Sequence, residues 1–556
     1  MSSLVLLGDE AVALGAIHAG ITAAYGYPGT PSTEIIEALQ LHAQREGGPA
    51  AHWCANEKTA YEAALGVSFA GRRTLVTMKH VGLNVAADPF INSAIVSING
   101  GLVLAVADDP GMHSSQNEQD SRFYADFARI VCLEPSDQQE AYDMTRDAFD
   151  LSERFKIPVM LRLVTRLAHS RARVRIGAQR AENPRQRPGN RAGWVLLPAN
   201  ARRQWRSLLD RQPDMIQWSE MSDYNHYHPG NCDGRDVVIT AGIARNYLAE
   251  NLDDLATLPA HLHIGTYPLP TKLIRRSLQK AERVLVLEDG FPLIERMLPG
   301  ILLRHLDVHG RLTGHLREDG ELNPDTVRQA LDLPPREGVS LGDYELPPRP
   351  PQLCVGCPHR DGYSSLKEAM GDYADGVITS DIGCYTLGAL PPYSAIESCV
   401  CMGASIGMAR GAAEAGFHPV TAVIGDGTFL HSGLPALLDA VAADANFTLL
   451  IMDNEATGMT GGQPPLIPTS RLADVVRGLG IDPEHLHVLR AHPTNAEENT
   501  AVLRRELEHR GLSVLILVRE CVETLKRKKK EAKAVKEAKA ALEAQTAETA
   551  DEQVAS

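Results

Sequence analysis

Short hydrophobic runs alternate with longer, alanine-rich stretches along the first third of the chain. The runs TLVTM (74–78), GLVLAVA (101–107) and PVMLRLV (158–164) have the length and the aliphatic, β-branched content of strands. Strands that alternate with helices in this way are typical of a doubly wound α/β fold with a mostly parallel sheet. We therefore predict one such domain over residues 1–171.

The same pattern returns twice. It runs from VVITAGI (237–243) to VLVLEDG (284–290), which predicts a smaller α/β domain over residues 233–335. It also fills residues 353–525, which predicts a third α/β domain.

Three segments lack this pattern. Residues 172–232 are rich in Arg and Pro, and we interpret them as a connecting segment. Residues 336–352 contain clustered prolines, which cannot continue a helix or a central strand, and this predicts a linker. Residues 526–556 are mostly Ala, Lys and Glu with almost no large apolar side chains, which indicates a charged, solvated tail.

Composition narrows the class of protein. With 556 residues, of which 44% are hydrophobic, the chain can bury several cores. Its 55 basic and 70 acidic residues give a net charge of −15, so nothing global favours nucleic acid as a partner. No apolar window approaches the ~20 residues of a membrane span, and the first apolar run is too short for a secretory signal. We expect a cytoplasmic protein without membrane contact. Its nine cysteines are then candidates for metal binding or catalysis rather than disulfides.

Two strand-like runs near the C-terminal third each end in an oxygen ligand. VTAVIG (420–425) leads into Asp426, and FTLLIM (447–452) leads towards Asn454. In a parallel sheet both residues reach one edge, where hard oxygen ligands suit Mg²⁺ with diphosphate and water. A helix that begins after Gly427 would attract the diphosphate through its backbone N–H groups.

The spacing of this GDG sequence from the asparagine resembles the thiamine diphosphate signature, whereas an ordinary βαβ unit with a Gly-Asp turn is the alternative. The predicted cofactor and Mg²⁺ site comprises Gly425, Asp426, Gly427, Asn454 and the carbonyl of Ala456.

A thiamine enzyme also needs a carboxylate for the aminopyrimidine ring. Glu57 is the candidate, because it stands where a presumed strand, AAHWCA, turns into an alanine-rich helix. The alternative is that Glu57 only interacts with the N-terminus of that helix.

Several motifs together resemble the thiamine-dependent alpha subunit of the indolepyruvate:ferredoxin oxidoreductase family, which is part of the 2-oxoacid:ferredoxin oxidoreductases. The resemblance covers about residues 1–525. It implies a pyrimidine-binding domain (1–171), a transketolase C-like domain (233–335) and a diphosphate-binding domain (353–525). It also implies oxidative decarboxylation of a 2-oxo acid with coenzyme A to an acyl-CoA and CO₂. The motifs are GDEAVALGAIHAG, YPGTPSTEI, NEK, TMKHVGLNVAADP, ADDPGMHSSQNEQDSR, LCVGCPHR and SDIGCYTLGALPP.

The resemblance assigns a substrate loop to residues 27–32, with Thr30 as the donor to the substrate carboxylate. Gly29 would leave room for an aryl 2-oxo acid such as indolepyruvate or phenylpyruvate. Arg122 pairs with a carboxylate or phosphate in one interpretation and forms a structural ion pair in the other. His80 faces the cofactor or is a structural histidine.

Four cysteines match the positions that hold the iron–sulfur cluster nearest thiamine in the related oxidoreductases. They are Cys354, Cys357, Cys384 and Cys521. Four thiolates suit one four-iron four-sulfur cluster, while a zinc site or an incomplete cluster remains open. We assign the other five cysteines no ligand role.

One departure concerns the electron path. Relatives continue into a ferredoxin-like domain with further cysteines, but no cysteine follows Cys521 here. We therefore expect one cluster and an external carrier such as ferredoxin, which the basic run 526–530 would help to receive unless that run serves solubility only. The resemblance implies a smaller beta subunit and a dimer of heterodimers. The alternatives are a non-oxidative thiamine-dependent decarboxylase or lyase, and a non-catalytic scaffold.

Overall fold

The computed structural model describes residues 3–338, 340, 342, 344–347 and 349–537. The chain forms two compact units, Met1–Asp343 and Tyr344–Ser556. The boundary between these units falls inside the segment 336–352 that the prolines indicated.

The first unit begins with strands and helices in close alternation. The strands are β1 (Ser3–Leu7), β2 (Ala23–Gly26), β3 (Ala50–Trp53), β4 (Thr74–Lys79), β5 (Leu102–Asp108), β6 (Cys132–Leu133), β7 (Val159–Val164) and β8 (Arg171–Arg175). The helices are α1 (Gly8–His18), α2 (Thr33–Glu46), α3 (Glu57–Phe69), α4 (His80–Val85), α5 (Ala87–Ser93), α6 (Arg122–Ala128), α7 (Gln138–Phe155) and α8 (Thr165–His169).

The first unit continues with a second set of elements. The helices are α9 (Pro198–Glu220), α10 (Ala244–Ala249), α11 (Thr271–Ser277), α12 (Leu293–Ile301) and α13 (Pro324–Ala330). The strands are β9 (His226–His228), β10 (Asp236–Ala241), β11 (Ala260–Ile264), β12 (Thr266–Tyr267), β13 (Arg283–Leu287) and β14 (Asp307–His309).

Two larger sheets form the core of this unit. One has the order β12-β6-β7-β5-β4-β2-β3, and all its neighbours are parallel except β12 and β6. The other has the order β14-β13-β10-β11-β9. Strand β12 follows β11 directly in the chain but pairs with β6, with Thr266 opposite Leu133. This exchange joins the two sheets, and no hydrophobic pattern in the sequence indicated it.

Helix α9 lies in the segment that we interpreted as connecting. It spans 23 residues and begins at Pro198, which suits a first helical position because its missing N–H would be unpaired there anyway. Only Leu208, Met215 and Ser219 of this helix are buried, so its sequence carries a weak hydrophobic signal.

The second unit contains one five-stranded parallel sheet of order β15-β16-β17-β19-β18. The strands are β15 (Val377–Ser380), β16 (Val420–Gly425), β17 (Phe447–Asp453), β18 (Leu486–Arg490) and β19 (Leu512–Val518). The helices are α14 (Pro358–Met370), α15 (Ala404–Glu414), α16 (Asp426–Thr428), α17 (Leu434–Ala442), α18 (Thr469–Gly478) and α19 (Ala496–Glu508).

Both faces of this second sheet are covered. Successive residues of β16 alternate between two apolar clusters, with Val423 in one and Ile424 in the other. This arrangement confirms the predicted doubly wound, mostly parallel α/β fold.

A helix over residues 522–537 follows the sheet. Arg527 donates to the carbonyls of Gly461 and Gly462 at 2.6 and 2.7 Å, so the start of this helix is attached to a turn of the unit. Residues 538–556 of the predicted tail lie outside the described residues. Within the described part of the chain, no helix has the combination of length and apolar content needed to cross a bilayer.

Candidate active site

The GDG sequence and the Asp-Asn pair lie on neighbouring parallel strands of the second unit. Gly425 at the end of β16 pairs with Met452 near the end of β17. Asp426 and Asp453 therefore reach the same edge of the sheet, as the sequence predicted for Asp426 and Asn454. A π-helical turn, Phe429–Gly433, follows Asp426–Thr428 directly, and such turns are frequent at functional sites.

Asp426 and Asp453 form a buried carboxylate pair. Each has a buried Oδ2 atom that accepts no hydrogen bond from the described residues. Burial raises the pKa of Asp426, and the charge of Asp453 raises it further. Burial also raises the pKa of Asp453. Two buried carboxylates without a cationic partner are unfavourable unless a cation neutralises them, so this pair fits a Mg²⁺ site.

The remaining predicted Mg²⁺ ligands lie on the loop that leaves β17. Asn454 and Ala456 are buried, and the Asn454 Oδ1 accepts a hydrogen bond from the Ala456 N–H at 3.2 Å. Between them Glu455 adopts a left-handed backbone with φ +55°, which turns the loop sharply. Asp453 was not predicted to be a site residue, although it directly precedes Asn454.

Gly425 is required by close packing. A Cβ atom at this position would lie 2.6 Å from the ring of Tyr385. The Tyr385 hydroxyl donates to Asp381, whose pKa burial raises to about 6. The ring of Tyr385 thus packs directly against the start of the GDG turn.

The four predicted cluster cysteines belong to this same unit and influence one another electrostatically. Burial raises the pKa of Cys357 to about 11, and Cys354 and Cys521 add to the shift. Burial raises the pKa of Cys384 to about 12, with contributions from the other three thiols and from Asp426. The fold therefore brings these four cysteines near one another, although they lie far apart in the sequence.

The thiols flank the loop that carries Asn454. The Cys521 N–H donates to the carbonyl of Asn454 at 2.9 Å. A Cβ atom at Gly458 would lie 3.2 Å from the Cys384 Sγ and 3.9 Å from the Asn454 side-chain nitrogen. The thiols and the predicted diphosphate-metal site are thus adjacent.

In the first unit, Glu57 occupies the first turn of α3 and is 6% exposed. The N-cap of this helix is Asn56, whose side chain accepts from the Thr59 N–H at 2.9 Å. Glu57 packs against Gly82, where a Cβ atom would lie 2.4 Å from the Glu57 Oε1. Although Asn56 forms the N-cap, a carboxylate in the first turn also interacts favourably with the helix N-terminus, so the role of Glu57 at the aminopyrimidine ring stays a prediction.

The predicted substrate loop lies next to a buried lysine. A Cβ atom at Gly29 would lie 3.1 Å from the Cβ of Lys79. The Lys79 Nζ donates to the Ser114 carbonyl at 2.7 Å, and the Ser114 hydroxyl donates to the Thr30 carbonyl at 3.3 Å. The Asp109 Oδ2 is 4.0 Å from this ammonium. Lys79 was not predicted to be a site residue, although it lies in TMKHVGLNVAADP, one of the motifs that carry the family resemblance.

Lys79 has an unusually low pKa for a lysine. Its side chain is 8% exposed. Burial lowers its pKa to about 8, an effect that Asp109 only partly offsets. A second anion beside this lysine would stabilise its charged form.

Arg122 is a structural residue in this geometry. It is 1% exposed, and its guanidinium donates to Asp120, Glu288, the Tyr267 hydroxyl and the Phe291 carbonyl. These contacts use the donors that a substrate carboxylate would need. Of the two roles that the sequence left open, the structure supports the ion pair and gives no support to the catalytic assignment.

His80 begins α4 and is 1% exposed. Burial lowers its pKa, and the charge of Lys79 lowers it further, against the opposing effect of Asp108. It is held neutral beside these two groups, which fits a structural histidine as well as a cofactor contact.

Two family matches cover the regions described above. Residues 14–202 match the family described as "Pyruvate flavodoxin/ferredoxin oxidoreductase, thiamine diP-bdg". Residues 381–517 match "Thiamine pyrophosphate enzyme, C-terminal TPP binding domain". Fold and site thus define an enzyme of the thiamine-dependent 2-oxoacid oxidoreductase class.

Curated relatives cover nearly the whole chain. It is 38% identical over 563 residues to "Indolepyruvate oxidoreductase subunit IorA" of Archaeoglobus fulgidus, which spans 95% of this chain and 88% of that protein. It is 39% identical over 544 residues to the IorA subunit of Methanothermobacter thermautotrophicus, spanning 93% and 87%. The chain belongs to the family of indolepyruvate oxidoreductase IorA subunits.

A solved structure supports the fold. The 2-oxoglutarate:ferredoxin oxidoreductase from Magnetococcus marinus, with 2-oxoglutarate, coenzyme A and succinyl-CoA bound, aligns with a TM-score of 0.50 at 17% identity. The alignment covers 59% of this chain and 65% of that one.

Proposed function

We propose that this protein oxidatively decarboxylates aryl 2-oxo acids of the indolepyruvate or phenylpyruvate type. Coenzyme A would accept the acyl group, and a bound cluster would pass the electrons to an external carrier. The observation that carries the proposal is the adjacency of four thiols to the buried Asp426–Asp453 pair and Asn454 in one unit.

The chain's own residues divide the work. Asp426, Asn454 and the Ala456 carbonyl would hold Mg²⁺, with Asp453 as a neighbouring negative charge. Glu57, in its buried position, would hold a proton at the aminopyrimidine ring. Thiamine diphosphate, when bound, supplies the electron sink for decarboxylation.

Lys79 supports the assignment of the 27–32 loop to the substrate. We infer that its ammonium, together with Thr30, binds the substrate carboxylate, because Arg122 is engaged elsewhere and Lys79 lies beside Gly29. Because a side chain at Gly29 would crowd Lys79, the glycine keeps the lysine next to the 27–32 loop, and the preference for an aryl ring rests on the family resemblance.

The spacing of the thiols supports a cluster over zinc. Among the described residues, all four cysteines included, no three of these sulfurs lie within 4.8 Å of one another. Tetrahedral zinc with Zn–S bonds of about 2.3 Å would need sulfurs about 3.8 Å apart. A four-iron four-sulfur cluster is larger and also takes four thiolates.

The thiols also favour oxidation over the non-oxidative alternative, which needs no electron acceptor. A smaller beta subunit and ferredoxin remain part of the proposal, because the relatives are named as subunits. A dimer of heterodimers is proposed on the same ground.

The test is anaerobic purification followed by iron, zinc and thiamine analysis and an assay with an artificial one-electron dye. We expect about four irons per chain. We also expect dye reduction that requires coenzyme A and is faster with phenylpyruvate than with pyruvate. Cys384→Ser should lose iron and dye reduction but retain thiamine diphosphate, while Cys232→Ser, outside the set, should behave like the wild type.

Three outcomes would contradict the proposal. About one zinc per chain would replace the cluster, an aldehyde product without dye reduction would support the lyase, and an unchanged iron content in Cys384→Ser would remove that cysteine from the ligand set.

A further inference from the structure

Three ligand-type side chains converge in the first unit outside the site described above. They are Asp9 on the first turn of α1, Glu34 on the first turn of α2 and His169 at the end of α8. One ligand atom from each lies within 4.8 Å of the other two. In the described part of the chain, no other group of His, Cys, Asp or Glu meets this distance.

Asp9 has no hydrogen-bond partner in the part of the chain that the structure describes. It is fully buried, and neither of its carboxylate oxygens forms a hydrogen bond. Its neighbour Glu10 accepts from the Leu7 N–H at 2.7 Å and so is engaged elsewhere. A buried carboxylate of this kind costs free energy that a cation would offset.

The backbone at Gly8 places Asp9 at this position. A Cβ atom at Gly8 would lie 2.2 Å from the Leu167 carbonyl oxygen. Only glycine therefore lets the start of α1 approach α8 closely enough to place Asp9 near His169.

The distance between the ligand atoms of His169 and Glu34 suits two ligands of one metal ion. The His169 Nε2 is 3.4 Å from the Glu34 Oε2, which is long for a charge-assisted hydrogen bond. Metal–ligand bonds of about 2.1 Å place neighbouring ligand atoms about 3.0–3.4 Å apart. The side chains of His169 and Glu34 are 34% and 38% exposed, so an ion can enter from solvent and complete its coordination with water.

We propose that Asp9, Glu34 and His169 form a binding site for a first-row divalent cation such as Mn²⁺ or Zn²⁺. Two carboxylates and one imidazole suit these ions better than Mg²⁺, which prefers oxygen ligands. The ion would fix the first turn of α2, directly after the 27–32 loop, to α1 and α8. The site is distinct from the Asp426 site, which belongs to the other unit.

The probe is Mn²⁺, because it has little affinity for thiolates. Binding is measured by calorimetry and electron paramagnetic resonance on the anaerobically purified full chain. An excess of Mg²⁺ and thiamine diphosphate occupies the Asp426 site. The wild type should bind one Mn²⁺ per chain, and its melting temperature should rise with Mn²⁺.

Asp9→Asn keeps the side-chain volume but removes the charge, and it should weaken Mn²⁺ binding by about 100-fold or more. His169→Gln, which changes a partly exposed side chain, should do the same and covers the case in which Asp9→Asn does not fold. The matched control is Asp210→Asn, an exposed residue of α9, which should bind like the wild type.

Two results would overturn the proposal. One is a wild type that binds no Mn²⁺ under these conditions, in which case a proton on Asp9 takes the place of the metal. The other is equal Mn²⁺ affinity in the wild type, Asp9→Asn and His169→Gln.

Discussion

Each unit of this protein buries a group of carboxylates, and the two groups differ in what neutralises them. In the first unit, Arg122 and Arg162 lie between four carboxylates, and each carboxylate is in an ion pair with an arginine. Those carboxylates are Asp108, Asp120, Glu134 and Glu288. In the second unit, Asp426 and Asp453 face each other, and no basic side chain of the described residues pairs with them.

This difference in neutralisation distinguishes carboxylates that belong to the structure from carboxylates that bind a ligand. In the arginine-paired group, Arg122 and Arg162 hold the pKa of Asp120 at about 2 although burial opposes this. Burial still raises the pKa values of Asp108 and Glu288, against the opposing charges of Arg162 and Arg122. The pair in the second unit has raised pKa values because burial outweighs the backbone hydrogen bonds to it and no arginine or lysine among the described residues pairs with it. A buried charge that the fold satisfies stabilises the fold, whereas one that the fold leaves unsatisfied indicates a ligand.

The largest effect is expected at Asp426. Asp426→Asn should weaken Mg²⁺ and thiamine diphosphate binding by more than about 100-fold, because the metal loses a charged ligand. The same variant should raise the free energy of unfolding of the cofactor-free protein at pH 7, since a raised pKa means that burying the ionised carboxylate is unfavourable. Calorimetry and thermal unfolding measure the two effects.

The sign of the pH dependence follows from the raised pKa. The folded state holds its proton on Asp426 to a higher pH than the unfolded state, so the cost is absent below about pH 4 and grows as pH rises. The stability gain of Asp426→Asn should therefore vanish at pH 4. The control is Asp439→Asn on an exposed side chain. A variant that lost stability at pH 7 would show that Asp426 is a structural charge like those in the first unit.

The second effect is expected in the arginine-paired group. Arg162→Met should cost about 3–5 kcal/mol in free energy of unfolding, because it leaves Asp108 and Glu134 buried without this partner. Urea denaturation of the cofactor-free protein measures the loss. Arg283→Met is the matched control, since its ion pair with Asp236 is about half exposed and should contribute at most ~1 kcal/mol. Similar losses in both variants would mean that burial does not distinguish the two ion pairs.

Lys79 represents the intermediate case, a buried cation with a partner at 4.0 Å. Lys79→Met should raise the KM for aryl 2-oxo acids about 10- to 100-fold, as expected for losing a charged hydrogen bond, and change kcat much less. Because its pKa is about 8, kcat/KM of the wild type should fall above pH 8 as the ammonium loses its proton. The exposed Lys367 provides the control as Lys367→Met. An unchanged KM together with an unchanged pH profile would exclude Lys79 from substrate binding.

The smallest effect is expected in the basic run after Cys521. Lys526 and Lys528 are paired with Glu523 and Glu520, and Arg527 contacts backbone carbonyls, so Lys529 and Lys530 remain as the less engaged members. Changing both to Glu should slow reduction of an acidic ferredoxin only a few-fold at low salt, below the ~10–10³-fold range of full electrostatic steering. Reduction of a small neutral dye is the internal control. Equal rates before and after the change would leave these lysines without a redox role.

The fold class followed from the alternating hydrophobic runs because parallel strands buried on both faces have a strong signature. The GDG turn and Asn454 were predictable for the same reason, since the ends of parallel strands meet at one edge. Strand β12 and helix α9 could not be predicted. A two-residue strand is too short to show alternating apolar and polar residues, and α9 buries few apolar side chains.

Some site residues could be predicted from the sequence and others could not. Asp453 and Lys79 were missed because their roles depend on which charges lack a partner, and this is a property of three-dimensional neighbours. The alternatives for Arg122 needed the same information, since only its contacts distinguish them, and the role of Glu57 stays a prediction.

The loop from Asn454 to Gly458 has a consequence for assembly of the enzyme. Its backbone accepts the Cys521 N–H on one side and carries two of the predicted Mg²⁺ ligands on the other. A group bound on either side restricts this segment and so reduces the conformational entropy that the second group must remove. By reciprocity, loading of iron and sulfide and loading of thiamine diphosphate should favour each other to the same degree. A cell that is short of one cofactor would then also accumulate protein deficient in the other.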